Sequence, residues 1–298
     1  MKIGIVGTGR MGNLFSQNLI KAGHQMVVMD VNQAAYQNLI ELGAQAAHSP
    51  AEVGERTELI ITSLPKNEIV QEVIAGKEGI LEGAGPGNTL IDMSTTFPMT
   101  TQWLGREASK KGVDFLDAPV SGGPKGAREG TLAIMVGGER KVFEKVKPVL
   151  EKIGSRVFYV GELGAGQSLK LVNNMIYNLN RLAMAEGLAL GVKAGINPKT
   201  MVDVIGVSTG NSFALQYLAQ DILRGNFEGR ESSLKLACKT LRLISEFADE
   251  LNAPLFLMNL AKQIYNMAKA RGFEEESPSS VIKLYEEILE VRVRSKSL

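Results

Sequence analysis

The sequence predicts an α/β fold in two parts. A doubly wound, mostly parallel sheet over residues 1–162 is joined by one long helix to an all-helical domain over residues 163–298. Three observations carry this. Short apolar runs alternate with helical stretches through the first 160 residues, the signature of a parallel sheet covered on both faces. Strand signals stop after Gly161. From Gly164 to Gly195 there is no proline and little turn chemistry, which reads as one helix of roughly 28–30 residues, about 45 Å long.

In chain order, the candidate strands are Lys2–Val6, Gln25–Asp30, Leu59–Leu64, Thr89–Met93, Val113–Ala118, Leu132–Val136 and Val157–Val160. Helical patterns lie between them at Met11–Ala22, Asn32–Leu42, Glu68–Ala75, Met99–Lys111 and Glu139–Lys152. After the long helix, further helices are predicted at Pro198–Gly206, Phe213–Leu223, Ser232–Leu251, Pro254–Ala270 and Ser280–Val291. The long helix is mostly apolar, which predicts burial on most of its sides.

The 298 residues allow one large or two ordinary domains with a sizeable core. A formal charge of +1 points neither to nucleic acid nor to an anionic membrane. The basic tail Arg292, Arg294 and Lys296 is read as solvated. Cys238 is the one cysteine, which excludes a disulfide framework and a thiolate metal cluster and fits a cytoplasmic location. The opening apolar run is too short for a signal peptide or a membrane span.

The first strand runs into Gly7-Thr8-Gly9-Arg10-Met11-Gly12, and a helix follows at once. Gly7 permits the tight turn, Gly9 lets a pyrophosphate approach the backbone, and Gly12 lets the helix lie close to the strand. Unpaired amides at the helix start then face the phosphates. Strand two ends at Asp30, eighteen residues after Gly12, where a carboxylate accepts both ribose hydroxyls and repels a 2′-phosphate. Val31 and Asn32 follow with no arginine, so NAD is expected over NADP.

Two more strand-terminal loops fall where an open α/β sheet binds its ligand. Leu64-Pro65 is placed to cover the cofactor's mid-section. Asp92-Met93-Ser94-Thr95-Thr96 offers hydroxyls to the nicotinamide ribose. A third loop reads Asp117-Ala118-Pro119-Val120-Ser121-Gly122-Gly123-Pro124. In it Ser121, Gly122 and Gly123 present a hydroxyl and two unobstructed amides, an anion-binding turn suited to a carboxylate.

Lys170, Asn173 and Asn174 share one face of the long helix's first turns, by spacings of three and four. A lysine in that setting is either a snorkelling side chain or a proton donor with a pKa lowered by desolvation. His24 and His48 are poorly placed for chemistry, and no His-x-x-x-His spacing exists to hold zinc, so no metal is expected.

With these residues in view, the chain resembles the β-hydroxyacid dehydrogenase family over essentially its whole length. The matching motifs are G-x-G-x-M-G at Gly7–Gly12, D-x-P-V-S-G-G at Asp117–Gly123, G-x-G-x-x-x-K-x-x-x-N at Gly164–Asn174, and a late helix bearing Lys239. The resemblance implies a Rossmann-like domain joined by a long helix to an all-helical one. It implies catalysis by Lys170, substrate placement by Asn174, and carboxylate binding by Ser121, Gly122 and Gly123. It also implies cofactor contacts from Thr95 and Lys239, and a homodimer or homotetramer.

Two departures bear on the substrate. Thr240 follows Lys239 where the family has aspartate, and Ser232 stands where it has an aromatic residue. A smaller or more polar substituent than a methyl follows, with Arg230 as a candidate for a second anion.

The reaction implied is NAD-dependent interconversion of a small β-hydroxy acid and its semialdehyde, with Lys170 moving the proton. Alternatives are an NADP-linked reductase of small carboxylate-bearing aldehydes, an imine reductase, or a non-enzymatic dinucleotide-binding protein. Lys170 argues against an imine reductase, which in this fold generally lacks that lysine, and Lys170 with Asn174 argues against a binding protein.

Overall fold

The computed structural model describes residues 1–229 and 232–295, so Arg230, Glu231 and Lys296 lie outside the described residues. The chain divides into two compact units, Met1–Lys170 and Leu171–Leu298. The division falls inside the long helix instead of at residue 162, because the first turn of that helix is hydrogen-bonded to the sheet.

The first unit opens with β1 (Lys2–Val6), α1 (Arg10–Lys21) and β2 (Gln25–Met29). A 3₁₀ turn at Gln33–Ala35 leads to α2 (Gln37–Glu41), β3 (Gln45–Ala46), α3 (Pro50–Arg56) and β4 (Leu59–Thr62). Next come α4 (Asn67–Ala75), α5 (Ile80–Gly83), β5 (Thr89–Asp92), α6 (Pro98–Lys110) and β6 (Asp114–Asp117). The unit continues through β7 (Val120–Ser121), α7 (Gly123–Glu129), β8 (Ala133–Gly138), α8 (Arg140–Ile153) and β9 (Arg156–Gly161).

These strands form one sheet in the order β3-β2-β1-β4-β5-β6-β8-β7, with β9 beside β8. The pairs from β3 to β6 are parallel, while β8 runs antiparallel to β6 and β7. Consecutive strand residues feed opposite cores. Ile3, Ile5, Met26, Val28, Leu59 and Ile61 pack on one face, and Val6, Val27 and Ile60 on the other. That is why the strands read as unbroken apolar runs.

The elements β3, β7, α3, α5 and α7 are additions to those expected from sequence, all seven residues or shorter and too brief for periodicity to register. A local cue marks α3 all the same. Ser49 caps it by accepting from the Glu52 amide, and Glu52 reaches back to the His48 amide, a reciprocal arrangement close to a capping box.

The long helix is α9 (Ala165–Lys193), 29 residues. It is followed by α10 (Pro198–Ile205), α11 (Phe213–Arg224), α12 (Leu234–Glu250), α13 (Phe256–Ala270), a 3₁₀ turn at Pro278–Val281 and α14 (Ile282–Leu289). Asn197, Ser212 and Ser233 cap α10, α11 and α12 with side-chain oxygens. The core of this second unit gathers Leu182, Leu188, Leu215, Ile222, Leu241 and Tyr265. Arg181 is buried there, donating to Asn178 and to the Tyr265 hydroxyl with its guanidinium over the Tyr177 ring.

The expected burial of α9 holds on most of its sides, and one stripe departs from it. Leu169, Val172, Ile176 and Leu190 recur at helical spacing and are exposed. An apolar composition signals burial only when the chain itself supplies the cover, and along this stripe it does not. Met267 is also half exposed on α13. Among the described residues no helix is long and apolar enough to cross a membrane.

Candidate active site

Five residues lie side by side along one edge of the sheet. In register they are Met29, Val6, Thr62, Asp92 and Asp117, at the C-terminal ends of β2, β1, β4, β5 and β6. The strand order turns back at β1, with β2 and β3 to one side and β4 to β6 to the other. That topological switch is where an open α/β sheet receives ligands. The loops leaving these strands carry most of the site residues expected from sequence.

Gly7 leaves β1 with φ +93° and donates to Met29 O at 2.9 Å. A Cβ there would lie 2.4 Å from Ser63 O and 2.8 Å from a Leu64 methyl, so Leu64 packs directly on the turn. A Cβ at Gly12 would lie 1.9 Å from Gly7 O, so only glycine lets α1 sit this close to its own entry loop. At Gly9 an added Cβ would meet nothing within 4 Å. Gly9 is the N-cap of α1 and has no capping side chain, and the first internal bond of the helix is Asn13 N to Gly9 O. The preceding amides therefore face an open space. Arg10 opens the helix from the exposed side, and Met11 packs against the core.

Asp30, half-buried just past β2, accepts from the Thr8 amide at 2.7 Å and the Asn32 amide at 2.9 Å. The bonds fix the carboxylate beside the glycine turn, and among the described residues each oxygen keeps a free lone pair. Val31 is exposed, and Asn32 uses its side chain to cap the 3₁₀ turn. Thr8 Oγ1 is buried with no hydrogen-bond partner among the described residues. An open amide-lined cradle, an orphaned buried hydroxyl and a fixed carboxylate fit the pyrophosphate and ribose of a dinucleotide.

The loop after β5 departs from expectation. Of its hydroxyls, Ser94 Oγ accepts from the Leu64 amide at 2.9 Å and Thr96 Oγ1 donates to Asp92 at 3.1 Å, so both hold the structure together. Thr95 between them is half exposed. Asp92 is fully buried and also accepts from Thr62 Oγ1 at 2.8 Å and the Ser94 amide at 3.0 Å. Burial raises its pKa against the pull of those bonds.

Past β6, Ser121 ends β7, which pairs with β8, and Gly122 and Gly123 follow with φ +133° and +65°. Gly122 caps α7 without a side chain, and both glycines are exposed. Asp117, by contrast, turns inward. Its carboxylate accepts from the amides of Gly164 at 2.8 Å and Gln167 at 2.7 Å, capping the start of α9 with a negative charge where the helix favours one. Desolvation still dominates, and its pKa is raised to about 6. A Cβ at Gly166 would meet Met135 O at 2.3 Å, so the first turn of α9 is seated on β8.

Lys170 lies three residues beyond Gln167. It has no hydrogen-bond or ion-pair partner among the described residues, and desolvation alone lowers its pKa to about 8. Part of its surface stays open to solvent. Asn174 follows one turn later on the same helix, and Asn173 donates to its side chain at 3.4 Å. Asn174 and Lys239, the latter on α12, belong to the helical unit. Of the two histidines, His48 follows the C-terminal end of β3, whereas His24 does not reach that edge. His24 precedes β2 at its opposite end, and exposed His48 bonds through its amide to Glu52.

Sequence reasoning overlooked Gln167, Thr62 and the inward duty of Asp92 and Asp117. A signal was present: Thr89–Asp92 and Asp114–Asp117 are four-residue strands that both end in aspartate, and Gln167 precedes Lys170 by about one turn.

Comparison with known proteins extends over both units. The family model described as the NAD binding domain of 6-phosphogluconate dehydrogenase matches residues 2–161. A second, described as the NAD-binding domain of NADP-dependent 3-hydroxyisobutyrate dehydrogenase, matches residues 164–285. The chain is 40% identical over 294 residues to 2-(hydroxymethyl)glutarate dehydrogenase of Eubacterium barkeri, covering 98% of this chain and 97% of that one. It is 36% identical over 292 residues to the mitochondrial 3-hydroxyisobutyrate dehydrogenase of Mus musculus, covering 96% and 87%. The crystal structure of a 3-hydroxyisobutyrate dehydrogenase from Salmonella typhimurium matches with TM-score 0.85 at 30% identity, over 95% of this chain and 99% of that one. With both units matched and the strand-end loops in place, the chain belongs to the β-hydroxyacid dehydrogenase family and is a dehydrogenase of that family.

Proposed function

We propose that this enzyme interconverts a small β-hydroxy acid and its semialdehyde with NAD, and that Lys170 is the general acid–base. The observation that carries the reading is an amine without a counter-ion among the described residues, whose pKa desolvation brings to about 8. A bound nicotinamide cofactor supplies the hydride acceptor, or the donor in reverse. The chain's own part is to hold the acid and move one proton. Ser121 and the amides around Gly122 and Gly123 hold the substrate carboxylate, and Asn174 places its hydroxyl. Neutral Lys170 Nζ takes the hydroxyl proton as the carbon loses hydride. In reduction the ammonium returns that proton and stabilises the developing alkoxide.

On the cofactor side, the amides from Gly9 to Gly12 take the pyrophosphate, and Asp30 takes the adenosine ribose. Leu64 and Pro65 flank the mid-section, while Thr95 and Lys239 reach the nicotinamide half. A carboxylate at residue 30, followed by Val31 and Asn32 without a cation, favours NAD over NADP. For the substrate, 3-hydroxyisobutyrate is one candidate. A dicarboxylate of the 2-(hydroxymethyl)glutarate kind is the second, favoured by the 40% identity to the enzyme of that name. Turnover with each acid, and with glycerate and 3-hydroxypropionate, separates them. The exposed stripes Val172, Ile176, Leu190 on α9 and Leu257, Leu260, Met267 on α13 support a homodimer or homotetramer, which a monomer mass by light scattering would exclude. The single cysteine suits a reducing compartment such as the cytoplasm.

Lys170→Ala is expected to lower kcat by roughly 10²–10⁴-fold with cofactor affinity kept. Unchanged turnover ends the assignment. Oxidation needs the neutral amine, so its rate rises with pH through about 8; reduction needs the ammonium and falls above it. Parallel slopes in the two directions would exclude Lys170 as the titrating group.

A further inference from the structure

Gln167 is fully buried, and both ends of its side-chain amide are committed. Its Nε2 donates to Ser94 O at 2.9 Å, and its Oε1 accepts from the Thr96 amide at 3.1 Å. Those partners flank Thr95. Its backbone amide meanwhile donates to Asp117, which also holds the Gly164 amide. The residue is thus tied at three points, two on the loop after β5 and one at the end of β6. Lys170 stands about one helical turn further along the same face of α9.

We infer that Gln167, seated by Asp117, is a positioning residue that fixes Lys170 relative to the Thr95 loop. The inference rests on the acid–base reading of Lys170. A cap alone would explain Asp117, because a carboxylate at the α9 N-terminus satisfies amides that no helical carbonyl can reach. It would not explain an amide side chain spent on both sides of Thr95. That geometry sets the spacing between the proton-transfer group and the loop facing the nicotinamide half. Gly166 makes the arrangement possible, since any side chain there would lift the turn off β8. Hydride and proton must move at one carbon–oxygen bond, and an error near 1 Å in such a constellation costs on the order of 10²-fold in rate. Gln167 touches neither reacting atom. It acts through Lys170.

The test is a double-mutant cycle on the full-length enzyme, using whichever acid of the screen above is turned over fastest. Gln167→Met keeps the side chain's volume and the backbone bond to Asp117 but removes both loop bonds; Gln167→Glu keeps the bond from Thr96 and sets an oxygen against Ser94 O. Each is expected to lower kcat by roughly 10–100-fold. KM and cofactor affinity should stay within about threefold, and the solvent isotope effect on kcat should grow as proton transfer becomes slow. In the Lys170→Ala background the same changes should cost less than about threefold, because there is no amine left to misplace. A folded Gln167→Met enzyme with wild-type kcat overturns the inference, as does an equal loss in both backgrounds, and either result leaves Lys170 itself in place. Full turnover by Lys170→Ala alone overturns the acid–base reading, and the positioning role falls with it.

Discussion

Three aspartates close strands along one sheet edge, and they serve opposite ends. Asp30 lies past β2, half-buried, its oxygens held among the described residues by the amides of Thr8 and Asn32. Asp92 and Asp117 end β5 and β6 in register, both fully buried. The first carboxylate can still take a ligand hydroxyl. The other two have been turned into scaffolding, one knitting Thr62, Ser94 and Thr96, the other seating α9. Residue type and strand position are nearly the same in all three. What differs is depth: in water a carboxylate exchanges partners cheaply, whereas a buried one must be fully satisfied or neutralised.

The sharpest break in this contrast is Asp92→Ala. It strands three buried donors and is expected to cost about 2–4 kcal/mol of stability, read as a fall in the urea midpoint. A loss within about 0.5 kcal/mol, the range of surface changes, would show Asp92 to be no scaffold.

Asp117 gives a pH test. Its pKa is about 6 in the folded protein against 3.8 for the free group. Between those values the folded state binds more protons, so stability falls as pH rises from about 4 to about 6, by roughly 3 kcal/mol. Asp117→Asn should flatten that slope in denaturation curves taken at pH 4, 5, 6 and 7. A slope that persists would place the titration elsewhere.

The smallest expected effect sharpens the contrast from the other side. Asp30→Ala should shift stability by less than about 1 kcal/mol, since water replaces the lost acceptor. It should weaken NAD by roughly tenfold and narrow the preference over NADP. Equal affinity ratios before and after the change would remove Asp30 from cofactor selection.

Much of the molecule was legible beforehand because its signals are local. Gly7, Gly9 and Gly12 between a five-residue apolar run and a helix announce their turn without reference to anything distant. The absence of proline from Gly164 to Gly195 announces α9. Harder to read were Ser94 and Thr96, which looked like hydroxyls offered to a ligand and instead bond inward, leaving Thr95. Their loop is folded over Asp92, and burial of that aspartate is a property of the assembled sheet. Gln167 escaped notice for the same reason. Its partners lie 71 and 73 residues away, beyond any window of helical periodicity. The exposed apolar stripe of α9 is the exception on a helix otherwise buried as expected, because composition records what a face prefers and not what covers it.

The sequence by itself determined the order of the longer strands and helices, the glycine turn, the aspartate after β2 and the lysine on the long helix, since each depends on neighbours within a few residues. Only the tertiary structure decided which aspartates stay open and which are entombed, and what desolvates the amine of Lys170. Burial and the satisfaction of buried charge arise from contacts between distant segments, and no stretch of chain contains them alone.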